Sequence, residues 1–276
     1  MKKLFSVEDA VKTRYSVRTY DNNSLDASAK EKLIAYAEGL TNPLGPGIKI
    51  QFIEKELSSN GEKLGTYGVI KGAKSYIAVI MQKKEYAEEA LGYEFEELVL
   101  YAAHLGLGTC WLGGTFNRSA FSENVALGEN EVFAFLSPVG RKSHKNRMGE
   151  QLFRCTLKAD DRKPWQELFF KGDLNIPLAK EDAGEYCFPL EMLRRAPSAV
   201  NKQPWLVVMT DKGFHFYEKK TYAGEGIDMQ RVDVGICVCH FHLAAMEKGL
   251  AGHFEKCCPD IAVPDDTVYI TSWIFE

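Results

Sequence analysis

Arg195-Ala196-Pro197-Ser198-Ala199-Val200-Asn201-Lys202-Gln203-Pro204-Trp205 is the stretch whose reading decides the fold. It sets a hydroxyl and two carboxamides between prolines, on the connection from a helix to a strand. Such a segment offers neutral donors and acceptors on a stiff backbone, which is what recognition of a planar heterocycle requires. Its complement lies far away in the chain, at Arg14-Tyr15-Ser16-Val17-Arg18. Two guanidinium groups and a hydroxyl suit a phosphate and an electron-rich ring edge. Each segment occurs once, in opposite halves of the chain.

Working outward, 276 residues are enough for one large domain or two of ordinary size. A hydrophobic content of 45% and an aromatic content of 12% supply a real core and exclude a disordered chain. The formal charge of −4 and a pI near 5.9 give polyanions no general attraction, so no nucleic-acid partner is expected. No apolar run approaches the roughly 18 residues that span a bilayer. The start, Met1-Lys2-Lys3-Leu4-Phe5-Ser6-Val7-Glu8-Asp9, turns acidic at once and lacks a signal-peptide core, so no membrane partner is expected. Seven cysteines without disulfide-scaffold spacing point to a reducing cytoplasm.

Apolar periodicity lays out alternating helices and strands around the two segments. Ser6 and Asp9 form a capping box for a short helix through Val7, Ala10 and Val11 that ends near Thr13. The arginine segment then runs extended to Tyr20. A second helix is expected over residues 28–38, with Leu33, Ile34 and Ala37 inward and Gly39 stopping it. Residues 48–54 alternate as a strand, and residues 75–81 are an apolar run suited to a buried strand. The most regular helix covers residues 94–105, with Phe95, Leu98, Val99, Ala102 and Leu105 on one face. Gly106-Leu107-Gly108 ends it, and Thr109-Cys110-Trp111-Leu112-Gly113-Gly114 makes a tight connection. A strand over residues 132–139 follows, and a basic, irregular stretch over residues 141–163 joins the halves.

The second half repeats this plan. Gly92, Ala102, Gly106 and Leu107 recur as Gly235, Ala245, Gly249 and Leu250 at a constant offset of 143. Phe95, Leu98 and Val99 fall on Val238, Phe241 and His242 at the same offset. Ala37 and Asn42 match Ala196 and Asn201 at an offset of 159, and residues 269–275 resemble the strand at 132–139. The pattern is a degenerate internal duplication, with lobes over residues 1–163 and 164–276. A homodimer carries two equivalent sites, whereas a fused, diverged copy can keep one. The first half has Asn42 but Leu44, Gly45 and Pro46 where the second has Gln203, Pro204 and Trp205. The second half begins Lys180-Glu181-Asp182-Ala183-Gly184-Glu185-Tyr186 and has no Arg-x-Ser-x-Arg. One intact site is expected.

The two quoted segments resemble the flavin-binding motifs of the nitroreductase family, FMN-dependent NAD(P)H oxidoreductases that are usually homodimers. There, one subunit supplies the arginine motif and its partner the Ser-x-x-Asn-x-Gln-Pro-Trp motif. The resemblance implies an α+β fold with two nitroreductase-like lobes in one chain, a pseudo-dimer around two long central helices with one FMN. Carried over by position, Arg14 and Ser16 would hold the phosphate, with Tyr15 between them. Arg18 would lie near N1 and O2, where a cation stabilises the charge of reduced flavin. Ser198 and Asn201, framed by Ala196 and Pro197, would meet the pyrimidine edge, with Gln203 in support. Gly113 would offer its N–H to N5, with Leu112 and Gly114 alongside; many members carry an acidic residue where this chain has Gly113. Arg162, within Asp161-Arg162-Lys163-Pro164, is the second cation carried over to the phosphate. Arg141, Lys142, Lys145 and Arg147 are its rivals.

The implied activity needs neither a protein nucleophile nor a metal. NADH or NADPH would deliver hydride to flavin N5, and a flat, electron-poor small molecule such as a nitroaromatic or quinone would accept it. The chain would act as a monomeric pseudo-dimer. A flavin-binding module or sensor without turnover is the alternative, and a loop over residues 217–229 is placed to cover the ring face. Cys237, Cys239, His240 and His242 share one helix, with His253, Cys257 and Cys258 beyond it. Residues two apart on a helix point away from each other, so Cys237 and Cys239 cannot chelate together, whereas Cys237 with His240, or Cys239 with His242, could share a face. Buried small hydrophobes and partly exposed histidines account for them better than a metal site. Gly106-x-Gly108 ends a helix instead of opening one, unlike a dinucleotide fingerprint, and Ser198 lacks a Gly-x-Ser-x-Gly elbow.

Overall fold

The computed structural model describes residues 5–56, 65–143, 158–221 and 226–276. Ser6 accepts the Asp9 N–H and starts helix α1 (Val7–Thr13), as its capping residues require. Asp26 caps α2 (Ala27–Glu38) through the Ala29 N–H. The first long helix, α3 (Ala87–His104), starts at Ala87 rather than at Glu94. Its apolar stripe is interrupted by Glu89, Glu94, Glu96 and Glu97, all buried. Each has found a partner: Arg231, Asn42, Trp111 and Tyr36 respectively. A carboxylate paired inside a protein is indistinguishable in sequence from a solvated one, which is why the stripe appears to begin late. The remaining α-helices lying wholly among the described residues are α4 (Arg118–Ser122), α5 (Cys187–Arg194) and α6 (Met229–Lys248). Asp228 caps α6 through the Gln230 and Arg231 N–H groups, and Gly249, at φ 71°, ends it.

The strands form two sheets. The first comprises β1 (Lys49–Glu54), β2 (Ser75–Gln82), β3 (Gly108–Thr109) and β4 (Glu131–Gly140), ordered β1-β2-β4-β3 and antiparallel throughout. The second comprises β5 (Phe169–Lys171), β6 (Trp205–Met209), β7 (Gly213–Lys219), β8 (Gly252–Glu255) and β9 (Thr267–Phe275), ordered β5-β6-β7-β9-β8. Apart from β5, added parallel to β6, this is the order of the first sheet. Both sheets also carry a register shift between the second and third strands of that order. In the first, Val79 faces Phe135 and Ile80 faces Phe133, so Ala134 is extra. In the second, Phe216 faces Thr271 and Tyr217 faces Tyr269, so Ile270 is extra. A bulge swaps the faces of the residues beyond it. Phe133 thus joins the small apolar cluster behind the first sheet, while Phe135 joins the main core.

Between the sheets, α3 and α6 cross. A Cβ built on Gly92 would lie 2.1 Å from the Val232 oxygen, and one on Gly235 would lie 2.0 Å from the Glu89 oxygen. No side chain fits in that space, so the two glycines let the backbones touch. The contact is reciprocal: Gly92 corresponds to Gly235 and Glu89 to Val232 at the offset of 143. Reciprocal contacts of this kind are the mark of a two-fold relation. The main core gathers on this crossing from both halves, including Phe95, Leu98, Val238 and Phe241. No helix among the described residues is long and apolar enough to cross a membrane.

Candidate functional site

The arginine segment is extended, as expected, and lies along the first sheet. The Val17 N–H donates to the Thr109 oxygen at 2.8 Å, the Lys71 N–H to the Arg18 oxygen at 2.9 Å and the Tyr20 N–H to the Lys71 oxygen at 2.9 Å. The approach depends on Gly108, where a Cβ would come within 2.6 Å of a Val17 methyl group. Under this segment lies the fully buried Glu96 of α3. Its carboxylate is 3.6 Å from Arg14 Nε, accepts from Trp111 Nε1 at 2.9 Å and sits 3.0 Å from His240 Nε2 of α6. One carboxylate therefore ties the arginine segment, the connection after β3 and the second long helix together. His240 is completely buried, its other ring nitrogen 3.0 Å from the Met192 oxygen, which corrects the expectation of exposure; His242 is half-buried.

The second quoted segment is held in an unusual backbone. Val200, Asn201 and Gln203 have φ of 45°, 57° and 49°, a region that side-chain-bearing residues rarely occupy, β-branched ones least of all. Ser198 Oγ accepts the Gln203 N–H at 2.8 Å, and the Ala199 N–H donates to both oxygens of Asp233 at 3.0 and 3.1 Å. Asn201 Nδ2 donates to the Lys158 and Asp161 oxygens, the latter at 3.0 Å. Gln203 Nε2 supports Asn201 at 3.3 Å, while its oxygen accepts the Lys163 N–H at 2.9 Å. This network fixes the segment that carries Arg162. Arg162 itself donates to the Ala159, Asp161 and Arg195 oxygens. Burial, with Arg14 next in weight, pushes the Arg162 guanidinium down to about 10.

These pieces meet around one cavity of about 510 Å³. All the residues expected from the sequence line it except Ala196 and Gln203. Ala196 is sealed in the main core, and Gln203 lies behind the wall it supports. Gly113 lies against Met229 and Phe135: a Cβ there would come within 2.4 Å of the Met229 methyl carbon and 2.9 Å of the Phe135 ring. A side chain there would have to displace the Met229 terminus and crowd the Phe135 ring. Arg118 holds the same corner, donating to the Gly113, Phe133 and Ala134 oxygens. Of the rival cations, Arg141 is exposed and pairs with Asp26 at 3.3 Å. Lys142 stands 5.6 Å from the centre of the Tyr15 ring, beside a smaller cavity of about 360 Å³. Lys145 and Arg147 lie outside the described residues.

Sequence reading missed one whole wall. Met229, Val232, Asp233 and Ile236 of α6 and Phe135 of β4 all face the cavity. The apolar ones look like core, and Phe135 is turned inward only by the bulge at Ala134. Asp233 alone carried a signal, an acid in the middle of an apolar helix. The expected covering loop over residues 217–229 is not one loop: Tyr217 belongs to β7 and Met229 opens α6, while residues 222–225 lie outside the described ones.

The family model described as "Putative TM nitroreductase" matches residues 6–245. Among solved structures, a putative nitroreductase from Thermotoga maritima is 18% identical with a TM-score of 0.62, covering 100% of this chain and 96% of that one. A putative nitroreductase in complex with FMN from Desulfovibrio desulfuricans is 20% identical, covering 54% of this chain and 96% of its own, with a TM-score of 0.40. A putative NADH dehydrogenase/NAD(P)H nitroreductase from Bacteroides thetaiotaomicron is 18% identical over 52% of this chain and 90% of its own, with a TM-score of 0.43. No curated protein matches the sequence. With the family model matched over most of the chain and the fold shared end to end with the Thermotoga protein, this protein belongs to the putative TM nitroreductase family.

Proposed function

We propose that the cavity holds one FMN and that the protein is an FMN-dependent NAD(P)H oxidoreductase acting on a flat, electron-poor acceptor such as a nitroaromatic or quinone. The observation that carries this reading is the convergence of residues 14–16, Arg18, 112–114 and 197–201, from both halves of the chain, on a single cavity. The donor set fits the group. Arg162 Nε is buried with no hydrogen-bond partner among the described residues, and Arg162 and Arg14 raise each other's electrostatic cost. A phosphate between them relieves both. Residues 1–163 and 164–276 then act as two lobes of a monomeric pseudo-dimer.

Bound FMN supplies the two-electron chemistry, accepting and then releasing hydride. Arg14, Arg162 and the Ser16 hydroxyl would hold the phosphate, and Arg18 would stabilise negative charge at the ring edge. Ser198 keeps its hydroxyl proton for donation, because its oxygen accepts the Gln203 N–H. Asn201 acts one step back, since its amide is engaged with the segment bearing Arg162. Met229, Phe135, Val232 and Ile236 offer an apolar wall that excludes water and suits a flat acceptor.

The test is a visible spectrum after reconstitution with FMN and desalting, followed by anaerobic addition of NADH or NADPH. The expected result is a single flavin per chain that bleaches with either nucleotide. Retained flavin that stays oxidised would favour a binding module, and no retained flavin would refute the reading. Arg14→Ala should weaken FMN binding by on the order of 1.5–3 kcal/mol, the range for a charged hydrogen bond, measured by flavin-fluorescence titration.

A further inference from the structure

One polar group in the cavity wall has no part in that reading. Asp233 lies in the second turn of α6, faces the cavity and is only 3% exposed. Both of its oxygens accept the same N–H, that of Ala199. Ala199 directly precedes the run in which Val200, Asn201 and Gln203 hold left-handed backbone angles. Such angles cost free energy in residues with a Cβ and persist only where the surroundings enforce them. Among the described residues, the other hydrogen bonds of the run are internal to it or reach the adjoining segment over residues 158–163. The Ala199 bond to Asp233 is the hydrogen bond that fastens it to the long helix. Burial raises the carboxyl well above its usual range, and a neutral carboxyl still accepts an N–H through its carbonyl oxygen. The corresponding position in the first half is Ala90, so the clamp is particular to the second half.

We propose that Asp233 is a positioning residue for the flavin: by gripping the Ala199 N–H it holds residues 199–203 in the conformation that presents Ser198 to the cavity and fastens the Arg162 segment. The inference rests on the FMN reading for its ligand, but the clamp itself can be measured without one. Hydrogen exchange of residues 198–203 in the flavin-free protein, paired with FMN titration, would be compared for the wild type, Asp233→Asn, Asp233→Ala and Asp233→Leu. The asparagine keeps an acceptor at the same place; leucine fills the volume without one and serves should the alanine variant fail to fold.

The expected result is exchange at least about tenfold faster in the alanine or leucine variant, with FMN dissociation constants raised about tenfold. Asp233→Asn should stay within about threefold of wild type on both readouts, a rescue that a mere volume effect would not give. Unchanged exchange in the alanine and leucine variants would overturn the clamp, as would an asparagine variant as impaired as they are. Faster exchange alongside a wild type that binds no FMN would refute the flavin reading and the assignment of Asp233 to that ligand, while leaving the clamp in place.

Discussion

The two ends of the central helix pair are built from the same parts and differ in what fills them. At one end Met229, Val232 and Ile236 of α6 face the cavity. Their counterparts at the offset of 143 are Tyr86, Glu89 and Tyr93. Tyr86 lies beneath Lys256 and packs so tightly on the first-half loop that a Cβ on Gly45 would come within 2.6 Å of its oxygen. Glu89 is tied to Arg231 at 3.3 Å, and the Tyr93 hydroxyl meets His242 Nδ1 at 2.6 Å. The loops differ in the same sense. Asn42 spends its carboxamide on Glu94 and on the Leu44 and Gly45 N–H groups, and no residue of that loop has a left-handed angle. The loop over residues 198–203 has three such residues and borders open space. A common scaffold therefore does not dictate a site; side-chain volume and hydrogen-bond closure decide which end remains open.

The symmetric part of this comparison is the most fragile. Gly92→Leu and Gly235→Leu would each drive a side chain into the opposing backbone, and each should cost about 3 kcal/mol or more. Thermal melting should show falls of similar size. A mild effect at one glycine and collapse at the other would break the reciprocal crossing.

The loops separate by function next. Asn42→Ala removes a partner of the buried Glu94 carboxyl and should cost about 1–3 kcal/mol of stability, with FMN affinity unchanged. Asn201→Ala should do the reverse, loosening the segment that carries Arg162 and weakening FMN binding while melting changes little. Chemical denaturation and flavin titration on both variants would test this, and equal effects on flavin would erase the distinction.

The closed end should also carry a pH signature. Burial, with Asp228 next, pushes the Glu218 carboxyl up to about 7, beside Arg231. The native state thus keeps a proton that the unfolded chain loses near 4.5. Stability from this group is full below about pH 4.5 and is lost as pH rises to about 7, by on the order of 3 kcal/mol. Glu218→Gln should flatten that part of the stability curve, and an unchanged slope would assign it to another group. The smallest expected effect lies at the open loop, where Val200 is 65% exposed at φ 45°. Val200→Gly should raise stability by about 1 kcal/mol, seen as a melting point a few degrees higher.

Much of this was legible in one dimension. The capping of α1, the bounds of β1, β2 and β4, the repeated plan and the two quoted segments were readable because each rests on local pattern. Other features were not. The first turns of α3 were hidden by glutamates whose partners, Arg231 and Asn42, are distant in sequence. The face of Phe135 depends on one extra residue at Ala134, which no periodicity announces. The rival cations for the proposed phosphate site were ordered only in space, where Arg162 faces Arg14 while Arg141 turns to Asp26.

By itself the sequence determined the family, the two-part plan and much of the polar lining of the cavity, though not Thr115, Asp160 or Asp233, because motifs and periodicity are properties of neighbours along the chain. Tertiary structure supplied the physical reason why the single site expected from the sequence opens, among the described residues, at one end of the helix pair. That outcome depends on whether side chains from separate elements meet and satisfy one another: Glu89 finds Arg231, Tyr93 finds His242, and their counterparts Val232 and Ile236 have only apolar surface to offer.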